Sequence, residues 1–280
     1  MIIDTHTHFY DPSRPQGVPW PDPDDQLLYR TALPRQYRAL VEDCGVTGTV
    51  VIEASSWVED NQWVLDLAAE DPFIVGLVGN LDPTSDTFSD HLRRFAANPL
   101  FRGIRVHGTE TFMASQAMVR RLALLAELDL ELDLLMGVSD LPAVAYLAER
   151  IPALRIVINH IAEVPIRGPD HDPDPAWIEG MQHAASHAHV YCKVSGLVEV
   201  TEQARAPTDV EFYRPTLDFL WNTFGENRLI YGSNWPVCER YADYATVQQI
   251  VDAYFTAKGP EASAKYFWKN ARSAYHWLER

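Results

Sequence analysis

The chain has 280 residues, 47% of them hydrophobic and 22% charged, the make-up of an ordinary globular protein with ample core. Its formal net charge of -16 disfavours nucleic acid and anionic membrane surfaces as partners, and no apolar stretch approaches a membrane span. Three scattered cysteines, Cys44, Cys192 and Cys238, make no disulfide framework; with no signal peptide before the first apolar run, the expected compartment is a reducing cytoplasm.

In chain order, apolar runs of strand length fall at Ile2–Thr7, Thr49–Glu53, Ile74–Gly79, Gly103–Val106, Leu130–Leu135, Ile156–His160, Val190–Ser195 and Leu229–Gly232. Helical patterns alternate with them near Pro34–Cys44, Val58–Ala69, Phe88–Ala97, Gln116–Leu128, Leu141–Arg150, Pro175–His187, Thr216–Phe224 and Tyr244–Ala257. Two more helical pieces, near Glu261–Phe267 and Ala271–Leu278, end the chain. Near-continuous apolar strands are expected where helices cover both faces of a parallel sheet. The alternation predicts a (β/α)8 barrel with C-terminal helices, a single domain over residues 1–280. A doubly wound open sheet is the alternative, but no Gly-x-Gly-x-x-Gly turn follows a strand, which disfavours a dinucleotide site. The Pro-rich stretch Pro12–Asp25 reads as a loop after the first strand, placed to cover the active face of a barrel.

Barrel enzymes carry their sites at the C-terminal strand ends. There the sequence puts His6 and His8, Glu53, Asn80, Arg105 with His107, His160, Lys193 with Ser195, and Asn234. His6 and His8 lie two residues apart, so on a regular strand both imidazoles aim at one point, as a metal or an activated water requires. Arg105 and Lys193 suit substrate carboxylate or hydroxyl oxygens, and Trp57, Trp235 and Tyr10 are candidates for an apolar wall. Structural roles stand beside these: Glu53 as a buried carboxylate paired with Arg105 or Lys193, His107 as a solvated loop residue, Lys193 as the neutraliser of an acid. No Gly-x-Ser-x-Gly turn follows a strand, which disfavours a Ser-His-Asp hydrolase.

Five segments in order, Ile3-Asp4-Thr5-His6-Thr7-His8-Phe9, Phe101-Arg102-Gly103-Ile104-Arg105, Val157-Ile158-Asn159-His160, Cys192-Lys193-Val194-Ser195-Gly196-Leu197 and Tyr231-Gly232-Ser233-Asn234-Trp235-Pro236, resemble the amidohydrolase superfamily. The branch they resemble is amidohydrolase-2, with its sugar-lactone and pyrone-dicarboxylate lactonases. The resemblance implies a distorted (β/α)8 barrel and hydrolysis of a small lactone or carboxylic acid, with His6 and His8 as the first-strand pair and His160 as the later histidine. Asn234 stands where the family pattern has the aspartate that activates water, and an amide cannot serve as a base. Three readings follow: the base has moved to Glu53, His107 or His160; residue 234 is an engineered change; or the protein binds without hydrolysing. The fifth strand ends Leu134-Leu135-Met136-Gly137, with no metal ligand. The resemblance then implies one divalent metal such as zinc, on His6, His8, His160 and Asn234, or none. The expected activity is lactone hydrolysis. The alternatives are metal-dependent, non-oxidative decarboxylation of a small aromatic acid, or an inactive binding homologue. A homo-oligomer is a further expectation, since exposed barrel helices commonly pair.

Overall fold

The computed structural model describes residues 1–108 and 115–280. Among these, eight strands form one parallel sheet in chain order: β1 Ile3–Thr7, β2 Gly48–Ile52, β3 Ile74–Gly79, β4 Phe101–His107, β5 Glu131–Leu135, β6 Ile156–Ile158, β7 Val190–Val194 and β8 Leu229–Tyr231. The sheet nearly closes on itself. Thr7 bridges Trp235, the His8 N–H donates to the Trp235 carbonyl at 2.9 Å, and Thr5 Oγ1 donates to the Tyr231 carbonyl at 2.6 Å. The architecture is the (β/α)8 barrel that the alternation predicts.

The helices are α1 Pro34–Leu40, α2 Asp60–Glu70, α3 Phe88–Ala96, α4 Gln116–Glu127, α5 Leu141–Arg150, α6 Pro175–Ala185, α7 Val210–Phe224, α8 Tyr244–Ala257, α9 Pro260–Ala264 and α10 Asn270–Tyr275. A π-helical turn, Lys265–Lys269, joins the last two. Side-chain oxygens open several helices by accepting otherwise unpaired backbone N–H groups: Ser115 for α4, Asp174 for α6, Asp209 for α7 and Asp243 for α8. Several boundaries differ from the sequence reading, among them the end of the first helix, at Leu40 and not Cys44, and the two described next. Helix α7 starts at Val210, because the Asp209 cap and burial of Tyr213 begin it ahead of Pro215, which lies inside it. Strand β6 stops at Ile158, before His160, for a reason given with the site.

The main core lies between the strands and the helix layer. A second cluster fills the barrel floor, where Ile3, Val50, Ile52, Val78, Val157 and Ile230 meet Ala271, Ala274, Tyr275 and Trp277. Arg102 and Arg155, at the starts of β4 and β6, donate to the carbonyls of Tyr275 and Ala274 at 2.8 and 2.7 Å, so α10 stoppers the N-terminal mouth. No helix among the described residues is long and apolar enough to cross a membrane.

Candidate active site

At the other mouth the strand ends surround a cavity of about 560 Å³, within the usual range for small-molecule sites. His8, Glu53, Asn80, Arg105, His107, His160 and Asn234 all line it, from six different strand ends. Pro19 and Trp20, from the loop after β1, close one side, with Trp20 edge-on to His8 at 5.8 Å between ring centroids.

Local conformation aims these side chains. The pairing of β1 with β2 slips between Asp4 and Thr7, so simple two-residue alternation does not hold through His6. Asp4 turns to the helix layer: Oδ2 accepts from Tyr37 of α1 and Tyr244 of α8 at 2.7 and 3.1 Å, and Oδ1 from the N–H groups of His6 and Ser233 at 3.0 and 2.9 Å. The fully buried His6 ring instead meets side chains of β4 and β7, and lies 5.0 Å from the His8 ring and 4.3 Å from that of His160.

After β6 the chain takes a left-handed turn, with φ of +49°, +52°, +56° and +52° from His160 to Glu163. Left-handed backbone disfavours L residues, and a run of four non-glycine positions ends the strand and swings His160 toward the cavity. Gly196 makes room for that ring: at its φ of +65° a Cβ would come within 2.8 Å of His160 Nδ1 and 2.9 Å of its Cβ and Cγ. Ser195 Oγ lies 2.9 Å from the same Nδ1 and fixes the ring.

The charges are largely spoken for. Arg105 donates from Nε to Glu53 Oε1 at 2.8 Å and from Nη2 to the Glu53 carbonyl at 3.0 Å. Burial alone would raise the Glu53 carboxyl, but the Arg105 guanidinium outweighs it and holds the group at about 2. His107 is exposed at the rim, its Nε2 3.5 Å from Glu53 Oε1. Lys193 is fully buried below His6, donates to Asp133 at 2.7 Å, and is not among the cavity-lining residues. Trp57 and Trp235 also lie outside that lining: Trp57 is exposed, and Trp235 is a core residue packed on Tyr37 and Phe9 with its indole N–H given to Glu239 at 2.7 Å. Tyr10 is likewise buried, its hydroxyl given to the Leu28 carbonyl at 2.8 Å.

Burial holds all three inner histidines neutral, with nearby cations and histidines pushing the same way; His8 falls to about 4. His8 Nδ1 sits 3.1 and 3.0 Å from the carbonyls of Ile52 and Glu53, which makes it the N–H donor and leaves Nε2 as an acceptor.

This donor set does not fit a metal ion. The two nitrogens of His6 face cations, Lys193 Nζ at 3.3 Å and Arg105 Nη1 at 3.5 Å, and the strand-eight position is a neutral amide. Among the described residues no three His, Cys, Asp or Glu side chains converge as a metal site.

Three charged lining residues escaped the sequence reading: Glu163, Glu199 and Arg240. Glu199 follows β7, and burial raises its carboxyl to about 7 against the lowering effect of the Asn234 amide, whose Nδ2 donates to Oε1 at 2.8 Å. The one signal that could have found it is a lone carboxylate inside the apolar stretch Gly196–Thr201. Arg240 pairs with Asp25 of the loop after β1, and Arg30 of that loop pairs with Glu239.

A family model described as Amidohydrolase matches residues 3–277. An L-fucono-1,5-lactonase of Burkholderia ambifaria is 32% identical over 98% of this chain and 94% of its own length. An enzyme of that description from Burkholderia multivorans is 26% identical, over 96% and 93%. The crystal structure of a Burkholderia multivorans amidohydrolase with bound zinc superposes with a TM-score of 0.87 at 24% identity, covering 99% of this chain and 100% of that one.

Proposed function

The chain belongs to the amidohydrolase-2 family, and from that premise we propose that it is a lactonase, opening a neutral sugar lactone by attack of water on the ring carbonyl. The 32% identical Burkholderia relative supports L-fucono-1,5-lactone, or a close six-membered sugar lactone, as the substrate. The observation that carries the reading is the charge balance of the cavity. Its two arginines, Arg105 and Arg240, already answer Glu53 and Asp25, its buried histidines are neutral, and Glu53, Glu163 and Glu199 line it as carboxyls. A substrate carboxylate would meet acids with no free cation among the described lining residues, whereas sugar hydroxyls find donors and acceptors.

In this reading the ring rests beside His8, whose Nε2 accepts a hydroxyl, and His160, oriented by Ser195. The Arg105 guanidinium, fixed on Glu53, supplies a pre-set positive charge near the developing oxyanion. Lys193 and His6 act beneath them as supports, one paired with Asp133 and the other packed on His8 and His160. No step passes through a metal, because the donor set does not fit one.

A pH-indicator assay corrected for spontaneous ring opening tests this. The expected result is acid release from a neutral sugar 1,5-lactone, faster than from a carboxylated pyrone. Silence with every lactone, or gas release from a carboxylated aromatic acid, would overturn it.

A further inference from the structure

We propose that Glu199 takes the proton of the attacking water, and that the Asn234 side-chain amide serves by holding that carboxylate in place; this rests on the lactonase reading above. The juxtaposition is specific. Both residues line the cavity, and Asn234 Nδ2 donates to Glu199 Oε1 at 2.8 Å. The second oxygen, Oε2, is buried and makes no hydrogen bond to any described residue. A carboxylate oxygen withdrawn from bulk water without a donor is costly, so its natural partner is a water or substrate hydroxyl inside the cavity.

The other candidates are less able to act. Glu53 is held by Arg105 and by the Ser55 N–H at 3.1 Å, and Glu163 is exposed on the left-handed turn. His8 and His160 have Arg105 close by, which opposes a second positive charge. The ionisable groups facing Glu199, Tyr213 and Cys238, are both raised by burial and stay neutral. Asn234 itself sits at φ +63°, a conformation asparagine tolerates better than most residues, so the amide is suited to this corner as well as to its donor role.

The step balances. Glu199 removes a proton as the water oxygen bonds to the lactone carbonyl carbon and the carbonyl electron pair moves onto oxygen. Collapse of the tetrahedral adduct breaks the bond between that carbon and the ring oxygen, which takes the proton from Glu199. The hydroxy acid formed then ionises, releasing one proton to solvent.

The test compares the unsubstituted enzyme with Glu199→Gln and Glu199→Ala on a neutral sugar lactone, with thermal unfolding as the check on folding. We expect Glu199→Gln to lower kcat by roughly 10²–10⁴-fold with little change in KM, the usual contribution of a general base. Formate should restore part of the activity of Glu199→Ala, which a structural role would not allow. Asn234→Asp puts two carboxyls at hydrogen-bond distance, where they share one proton, so activity at neutral pH should fall. If the unsubstituted enzyme opens no lactone, the lactonase reading fails first. If it does, and Glu199→Gln keeps kcat within about threefold, or Asn234→Asp raises activity at least about tenfold, this inference alone is overturned.

Discussion

Arg105 is only 8% exposed, and its guanidinium is committed to Glu53 through both a side-chain and a backbone acceptor. Truncating one member of a buried ion pair leaves the other charge stranded, which typically costs about 3–5 kcal/mol. Arg105→Ala should therefore shift the urea midpoint markedly as well as lower activity, and an unchanged midpoint would show that the pair is dispensable. Gly196 is constrained in a different way, by a positive φ and by the His160 ring against its missing Cβ. Gly196→Ala should cost about 1–2 kcal/mol in thermal unfolding from backbone strain alone. It should also lower kcat by displacing His160; full activity would mean the ring tolerates the shift.

Among the elements, α10 ties the barrel floor to the site above it. The Tyr275 hydroxyl donates to Asp133 Oδ1 at 2.9 Å, while Asp133 Oδ2 holds Lys193, whose Nζ lies 3.3 Å from His6. Removing that hydroxyl leaves a buried carboxylate oxygen short of a donor, worth about 1–3 kcal/mol. Tyr275→Phe is thus expected to lower the denaturation midpoint, and a thermal scan matching the unsubstituted protein would refute the link. On the opposite face, the segment after β8 and the loop after β1 are tied by Arg240 to Asp25 and Arg30 to Glu239. These arginines are exposed, so the pairs add little stability.

For the whole molecule, the titrating groups pull stability in opposite directions. Glu53 is depressed from 4.5 to about 2, so its contribution is full above 4.5 and is lost as pH falls toward 2. His8 is depressed from 6.5 to about 4: the unfolded chain takes its proton first, and stability falls as pH drops through that window. Glu199 is raised from 4.5 to about 7, so its contribution is present below 4.5 and is lost as pH rises through 7. Unfolding followed from pH 3 to 9 should therefore show an acid limb, and Glu199→Gln should gain stability relative to the unsubstituted protein above pH 7 but not at pH 4. A difference that stays constant across pH would contradict the assignment.

The order of strands and helices, the barrel, and the set of polar residues at the strand ends were legible in the sequence because they are written in local periodicity: apolar runs of strand length, amphipathic helices between them, and a polar or ionisable side chain where most strands meet the mouth. His8, Glu53, Arg105, His107, His160 and Asn234 were all found that way, and all line one cavity. What periodicity does not encode is which distant side chain answers which charge. That Arg105 is committed to Glu53, Lys193 to Asp133, and Asn234 to a glutamate missed in the sequence depends on strands brought together by closure of the sheet. The slip in β1 and the left-handed turn at His160 were equally invisible, since both break the regular backbone from which side-chain direction is inferred. Local pattern determined which groups reach the mouth; burial and through-space charge, properties of the assembled barrel, decided which of them remain free to react.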